Sequence, residues 1–157
     1  QEVFAGVYAH AVDTPFTFET GEGGADVELG YRFGRQDALK AIGKPEPYLM
    51  ASLNTRGDTG FVGAGLSWRL GEGPVYLRPG LGLVAQNGPE LRVGASGLRT
   101  DLGSCVLFEP EIAFGARLSE RFSIEASWVH ISHARLFNAH QNPGIDMLGA
   151  RLAFALK

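Results

Sequence analysis

Cysteine, lysine and long apolar runs are all scarce in this 157-residue chain, and each scarcity excludes something. The single cysteine, Cys105, rules out an internal disulfide. Lysine occurs only at Lys40, Lys44 and Lys157, so arginine carries most of the positive charge, and the formal net charge is −3. No basic stripe alternates with aromatics, which argues against nucleic acid as a partner. Although 45% of residues are hydrophobic, no run approaches the ~20 apolar residues of a membrane-spanning helix. The first residues, from Gln1, show neither a basic n-region nor an apolar h-region; if the protein is exported, its signal peptide has already been removed. The length suits one domain over residues 1–157, with nothing resembling a linker.

What is abundant is glycine, 22 residues, about twice the usual ~7% share. Glycines fall inside apparent strands, as in Gly63-Ala64-Gly65 and Gly80-Leu81-Gly82, which suits tightly curved sheet. Eight segments alternate as strands do, near 2–10, 25–35, 47–55, 59–70, 73–86, 104–118, 120–132 and 145–157. Most are longer than the ~5–6 residues usual in soluble proteins and long enough for a tilted membrane strand. A short helix is expected near Gln36–Ile42, before Pro45 and Pro47.

Each segment has one apolar and one polar face. In the second, Asp26, Glu28, Gly30 and Arg32 oppose Val27, Leu29, Tyr31 and Phe33. A soluble barrel puts the apolar set inside; a membrane barrel inverts the assignment. Periodicity alone does not choose between them. The polar faces carry opposite charges and glycines, and Glu28, Arg32, Arg78, Glu109, Glu111, Glu125 and Arg151 could pair within a filled lumen. Phe33, Trp68, Phe108 and Trp128 sit near the ends of apolar faces, where interfacial aromatics belong. Connections are tight on one side (Leu70–Gly73, Leu118–Arg121) and longer on the other, the outer-membrane pattern. The expected fold is therefore all-β: an eight-stranded antiparallel transmembrane β-barrel of outer-membrane type with a polar, filled lumen.

The richest stretch chemically is Trp128 to Asp146. His130 and Ser132 are two residues apart on a strand and so share a face with Phe122, Ile124, Ala126 and Trp128. That is the greasy face, where a histidine and a serine need a reason. A serine hydroxyl becomes nucleophilic when a base such as histidine takes its proton, and a carboxylate best orients that histidine. Asp146 is the one carboxylate on the outward face of the last strand, with Leu148, Ala150, Leu152 and Phe154. Antiparallel neighbours would bring it beside His130 in a Ser–His–Asp site. A metal site at His130, His133 and His140 is disfavoured, because residues 130 and 133 point to opposite faces of a strand. Arg56, Arg92, Arg99 and Arg135 fall in or beside the presumed outer loops; arginine binds phosphate bidentately. Two other classes remain open on these grounds. One is a structural or adhesive outer-membrane barrel without activity; the other is a soluble lipocalin-type ligand-binding barrel.

On these residues the chain resembles the outer-membrane lipid A 3-O-deacylases of the PagL type. The family's His-x-Ser-Asn-Ala motif matches His130-Ile131-Ser132-His133-Ala134, with His133 where asparagine is usual. Its Asn-x-Gly-x-Glu matches Asn142-Pro143-Gly144-Ile145-Asp146, with aspartate for glutamate. The resemblance implies an integral outer-membrane esterase needing no cofactor or metal, with lipid A (lipopolysaccharide) as substrate. Ser132 would be nucleophile, His130 base and Asp146 orienting acid. Asn142, Gly144 and His133 would lie near the oxyanion, Trp128 beside the acyl groove, and Arg135 near lipid A phosphate. Whether the barrel is a monomer or a homodimer stays open.

Overall fold

The computed structural model describes residues 1–17, 20–88, 92–93, 99–100, 102, 104–134 and 143–156. Within it the chain forms strands β1 (Glu2–Ala9), β2 (Ala25–Arg32), β3 (Glu46–Asn54), β4 (Phe61–Ser67), β5 (Val75–Gln86), β6 (Arg92–Val93), β7 (Arg99–Thr100), β8 (Val106–Arg117), β9 (Phe122–Ile131) and β10 (Ile145–Ala155). Eight of them close into an antiparallel barrel in the order β1-β10-β9-β8-β5-β4-β3-β2. The other two, β6 and β7, pair as a small separate hairpin in the connection between β5 and β8. Two-residue strands carry no alternation, so this hairpin has no signature in the sequence. The expected short helix is present as a 3₁₀ helix over Asp37–Ile42, closed by Gly43 in the left-handed region.

Burial settles which face is inside. Asp26, Glu28, Arg32, Arg78, Glu109, Glu111, Glu125 and Arg151 are all buried, whereas Val27, Leu29, Leu49, Leu53, Leu81, Leu83, Phe114 and Leu152 are exposed. A band of apolar side chains encircling the cylinder belongs against lipid, and the soluble-barrel alternative fails on it.

The lumen is held by charge. Arg151 donates through Nε to Glu125 at 2.5 Å and through Nη1 to Glu111 at 2.8 Å, and reaches Glu28 at 3.4 Å. Arg78 donates through Nε to Glu125 at 2.9 Å and also pairs with Glu46 and Glu2; Arg32 pairs with Glu2. Glu2 and Glu46 extend the ion-pair set foreseen in the sequence. Buried charges persist where they are paired and hydrogen-bonded. Arg151 and Arg78 meet that condition, whereas Arg32 pairs through Nη1 with Glu2 and leaves its Nε without a hydrogen bond among the described residues. The in-strand glycines have a related purpose. The Phe4 ring fills the space over Gly30, Tyr48 that over Gly65 and Gly82, and Tyr76 that over Gly115. Aromatic rings thus lie across the barrel interior where any Cβ would collide with them.

Candidate active site

The pairing of β9 with β10 sets Asp146 opposite His130 and Leu148 opposite Trp128. Antiparallel neighbours joined by one connection share a face at each paired position, so residues 128, 130, 146 and 148 lie together on the outer wall near the long-loop end. His130 Nδ1 is 2.7 Å from Asp146 Oδ1. An ionised carboxylate only accepts, so a neutral imidazole bonded this way carries its proton on Nδ1 and keeps the lone pair on Nε2. Trp128 donates from Nε1 to the same Oδ1 at 3.0 Å, and its ring stands 6.0 Å from the imidazole, centroid to centroid. Asp146 itself is completely buried although it points to the lipid side, because Trp128, His130 and the first outer loop cover it.

Ser132 lies one residue beyond β9 yet stays tied to the wall. Its N–H donates to the Phe108 carbonyl at 3.0 Å, and its carbonyl accepts from the Phe108 N–H at 2.7 Å. Its hydroxyl makes no hydrogen bond with the His130 imidazole; catalytic hydrogen bonds are often long before substrate binds. Gly144 adopts a left-handed φ of +63° and packs on the imidazole so closely that a Cβ there would lie 2.7 Å from His130 Cε1 and 3.2 Å from Nε2. His133 is wholly buried. Asn142, Arg135 and His140 lie outside the described residues, as do the side chains of Arg92 and Arg99. Arg56 is exposed near the outer end, 4.0 Å from Asp58.

Two further features adjoin the pair. An apolar groove of about 390 Å³ runs along the outer wall, lined by Leu77, Ile112, Phe114, Ala126, Trp128 and Leu148. At the mouth, just past β1, His10 is gripped between two acids: Nδ1 lies 2.7 Å from Asp26 and Nε2 2.7 Å from Glu22. Burial by itself would lower the His10 pKa, but its hydrogen bonds and charge interactions with Asp26 and Glu22 outweigh this and raise it to about 9. Glu22 also accepts from Thr59 Oγ1 at 2.8 Å and from the Thr59 N–H at 3.1 Å, so this cluster pins the first outer loop to the barrel. Sequence reasoning missed both His10 and the Trp128 donor bond; His10, set between Ala9 and Ala11, carried no motif.

A greasy cylinder with ion pairs inside and a histidine–carboxylate pair on its outer wall defines an outer-membrane-type β-barrel with a candidate hydrolytic site facing lipid. The chain belongs to the PagL family of lipid A 3-O-deacylases: the family model described as "Lipid A 3-O-deacylase (PagL)" matches residues 25–155. Membership implies an outer-membrane lipid A deacylase activity and favours it over the inactive-barrel alternative. Among solved structures, the outer membrane enzyme PagL aligns with a TM-score of 0.70 at 19% identity, over 99% of this chain and 100% of that one. Neisserial surface protein A (NspA) aligns at 0.56 and 11% identity, over 99% and 96%. A de novo designed transmembrane β-barrel aligns at 0.51 and 11%, over 99% and 95%. At these identities the structural likenesses establish the fold alone. No curated protein sequence matches the chain.

Proposed function

We propose that this protein removes the 3-O-linked acyl chain of lipid A with Ser132, His130 and Asp146 as a catalytic trio on the lipid-facing wall. The observation that carries the proposal is the 2.7 Å bond between His130 Nδ1 and Asp146 at a wall position where lipid would otherwise demand an apolar side chain. Lipid A reaches the wall by lateral diffusion with its acyl chains already in hydrocarbon. Ser132 Oγ attacks the ester carbonyl while His130 Nε2 takes its proton. As the tetrahedral intermediate collapses, the imidazolium returns that proton to the departing sugar hydroxyl, leaving an acyl-serine. Water, deprotonated by the same imidazole, then releases the fatty acid. Asp146 holds the ring in the Nδ1–H form and stabilises the imidazolium. The groove from Trp128 past Ala126 and Phe114 suits the acyl chain being cleaved. Gly144, Asn142 and His133 serve the oxyanion region, and Arg135 the phosphates.

Acyl release from purified lipid A in detergent micelles, followed by mass spectrometry, tests the proposal. Ser132→Ala and His130→Ala are each expected to lose at least a thousandfold in rate, since either removal disables the nucleophile–base pair. Activity near wild type in either variant refutes the mechanism.

A further inference from the structure

A buried carboxylate must have both oxygens satisfied. In Asp146, Oδ1 receives His130 and Trp128 from its own wall. Oδ2 faces the first outer loop, and its one donor among the described residues is the hydroxyl of Thr14. That hydroxyl is oriented at both ends. It accepts from the Phe16 N–H at 3.1 Å, which leaves its own proton for Asp146.

A register change brings Thr14 to this place. Along β1 the even residues face the lumen (Phe4, Tyr8 and, beyond the strand, His10 are buried) and Val3 and Val7 face out. Continued unchanged, that alternation would turn Thr14 inward. The pairing Ala9↔Leu148 would also set Ala11 opposite Asp146. Instead the Val12 N–H reaches the Asp146 carbonyl at 2.9 Å, one residue late, and Ala11 takes a left-handed φ of +52°. This is a β-bulge, and one extra residue flips every side chain after it to the other face. Thr14 therefore arrives on the outer wall beside the acid. Phe16, 71% exposed, follows it to within 6.2 Å of the Trp128 ring, centroid to centroid.

We infer that Thr14, delivered from the first outer loop by the bulge at Ala11, is a positioning residue for the catalytic acid, fixing Asp146 Oδ2 so that Oδ1 stays in line with His130 Nδ1. The inference rests on the Ser132–His130–Asp146 reading. It also gives the aspartate of this chain, one methylene shorter than glutamate, a second anchor at the distance a short side chain leaves.

The test measures lipid A deacylation by the full chain, folded in detergent micelles, for Thr14→Val and Thr14→Ser, alongside Ser132→Ala, Asp146→Ala and the Thr14→Val/Asp146→Ala double variant. Losing a hydrogen bond to a buried charged group typically lowers function by about ten- to a hundredfold. Thr14→Val is expected to lower kcat by that factor at unchanged KM, and Thr14→Ser, which keeps the hydroxyl, to stay within about threefold of wild type. In the Asp146→Ala background the valine substitution is expected to have no further effect, because the bond it deletes is already gone. Thr14→Ala is the second variant should valine prevent folding, with the same loss expected. Wild-type kcat in Thr14→Val, or an equal loss with and without Asp146, overturns the inference while leaving the trio intact. Activity in Ser132→Ala overturns the trio and the inference with it.

Discussion

Replacing Gly144 with alanine separates backbone strain from damage to the proposed base, His130. Gly144 sits at φ +63°, where an L-residue costs roughly 1–2 kcal/mol. The added methyl would also stand 2.7 Å from His130 Cε1, so the ring must retreat by about 0.8 Å to reach an ordinary carbon–carbon contact of ~3.5 Å. The ring cannot retreat freely, because its Nδ1 is tied to Asp146 at 2.7 Å. Displacement of a reacting group by about 1 Å lowers rates by roughly a hundredfold, so kcat for lipid A deacylation in Gly144→Ala is expected to fall about 30- to 100-fold. Stability in detergent, read by urea unfolding, is expected to drop only by the backbone term. Gly57→Ala is the control. It has the same left-handed geometry at φ +77° but nothing within 4 Å of the new methyl, so it should show the same small loss of stability at unchanged kcat. A Gly144→Ala enzyme within threefold of wild type, or a Gly57→Ala enzyme equally impaired, would refute the reasoning.

Two further outcomes follow from the charged groups. Glu125→Gln removes the charge facing Arg151 and Arg78 in the lumen, and breaking one side of a buried network should cost about 3–5 kcal/mol by urea unfolding; a loss under about 1 kcal/mol contradicts the network's structural role. His10, with its pKa raised to about 9 in the folded protein, contributes stability that is fully present below its unfolded value near 6.5 and is lost as pH rises through about 9. The difference in unfolding free energy between wild type and His10→Gln should therefore shrink between pH 7 and pH 10; a difference independent of pH would show that His10 is not held as a cation by Asp26 and Glu22.

Much of the fold is legible because a strand's side-chain period is two. Glu28, Arg32, Arg78, Glu109, Glu111, Glu125 and Arg151 each fall in step with polar neighbours and out of step with leucines and valines, so the inward set can be read residue by residue. The neighbourhood of His130 and Asp146 is legible for the same reason, since both occupy outward parity on strands joined by one connection. Glu2 and Glu46 escaped because they stand at strand ends, where alternation fades. Thr14 escaped because its position depends on a one-residue slip at Ala11, an alanine in a conformation usually left to glycine; parity counted along β1 sends it the wrong way. The β6–β7 hairpin escaped because two residues make no pattern.

The lumen network has one more consequence. A cylinder plugged by its own buried arginines and glutamates keeps its middle apart from its outer wall, so an acyl chain that meets the histidine–aspartate pair comes from the plane of the bilayer. Water reaches the pair from the outer-loop side, where Gly144 and Asp146 line a polar cavity. With the proposed site on that wall, the encounter with lipid A is a two-dimensional event, governed by molecules per unit of membrane area. Diluting the protein in bulk buffer would leave that rate untouched, while diluting lipid A with inert lipid in the same micelle or leaflet would lower it.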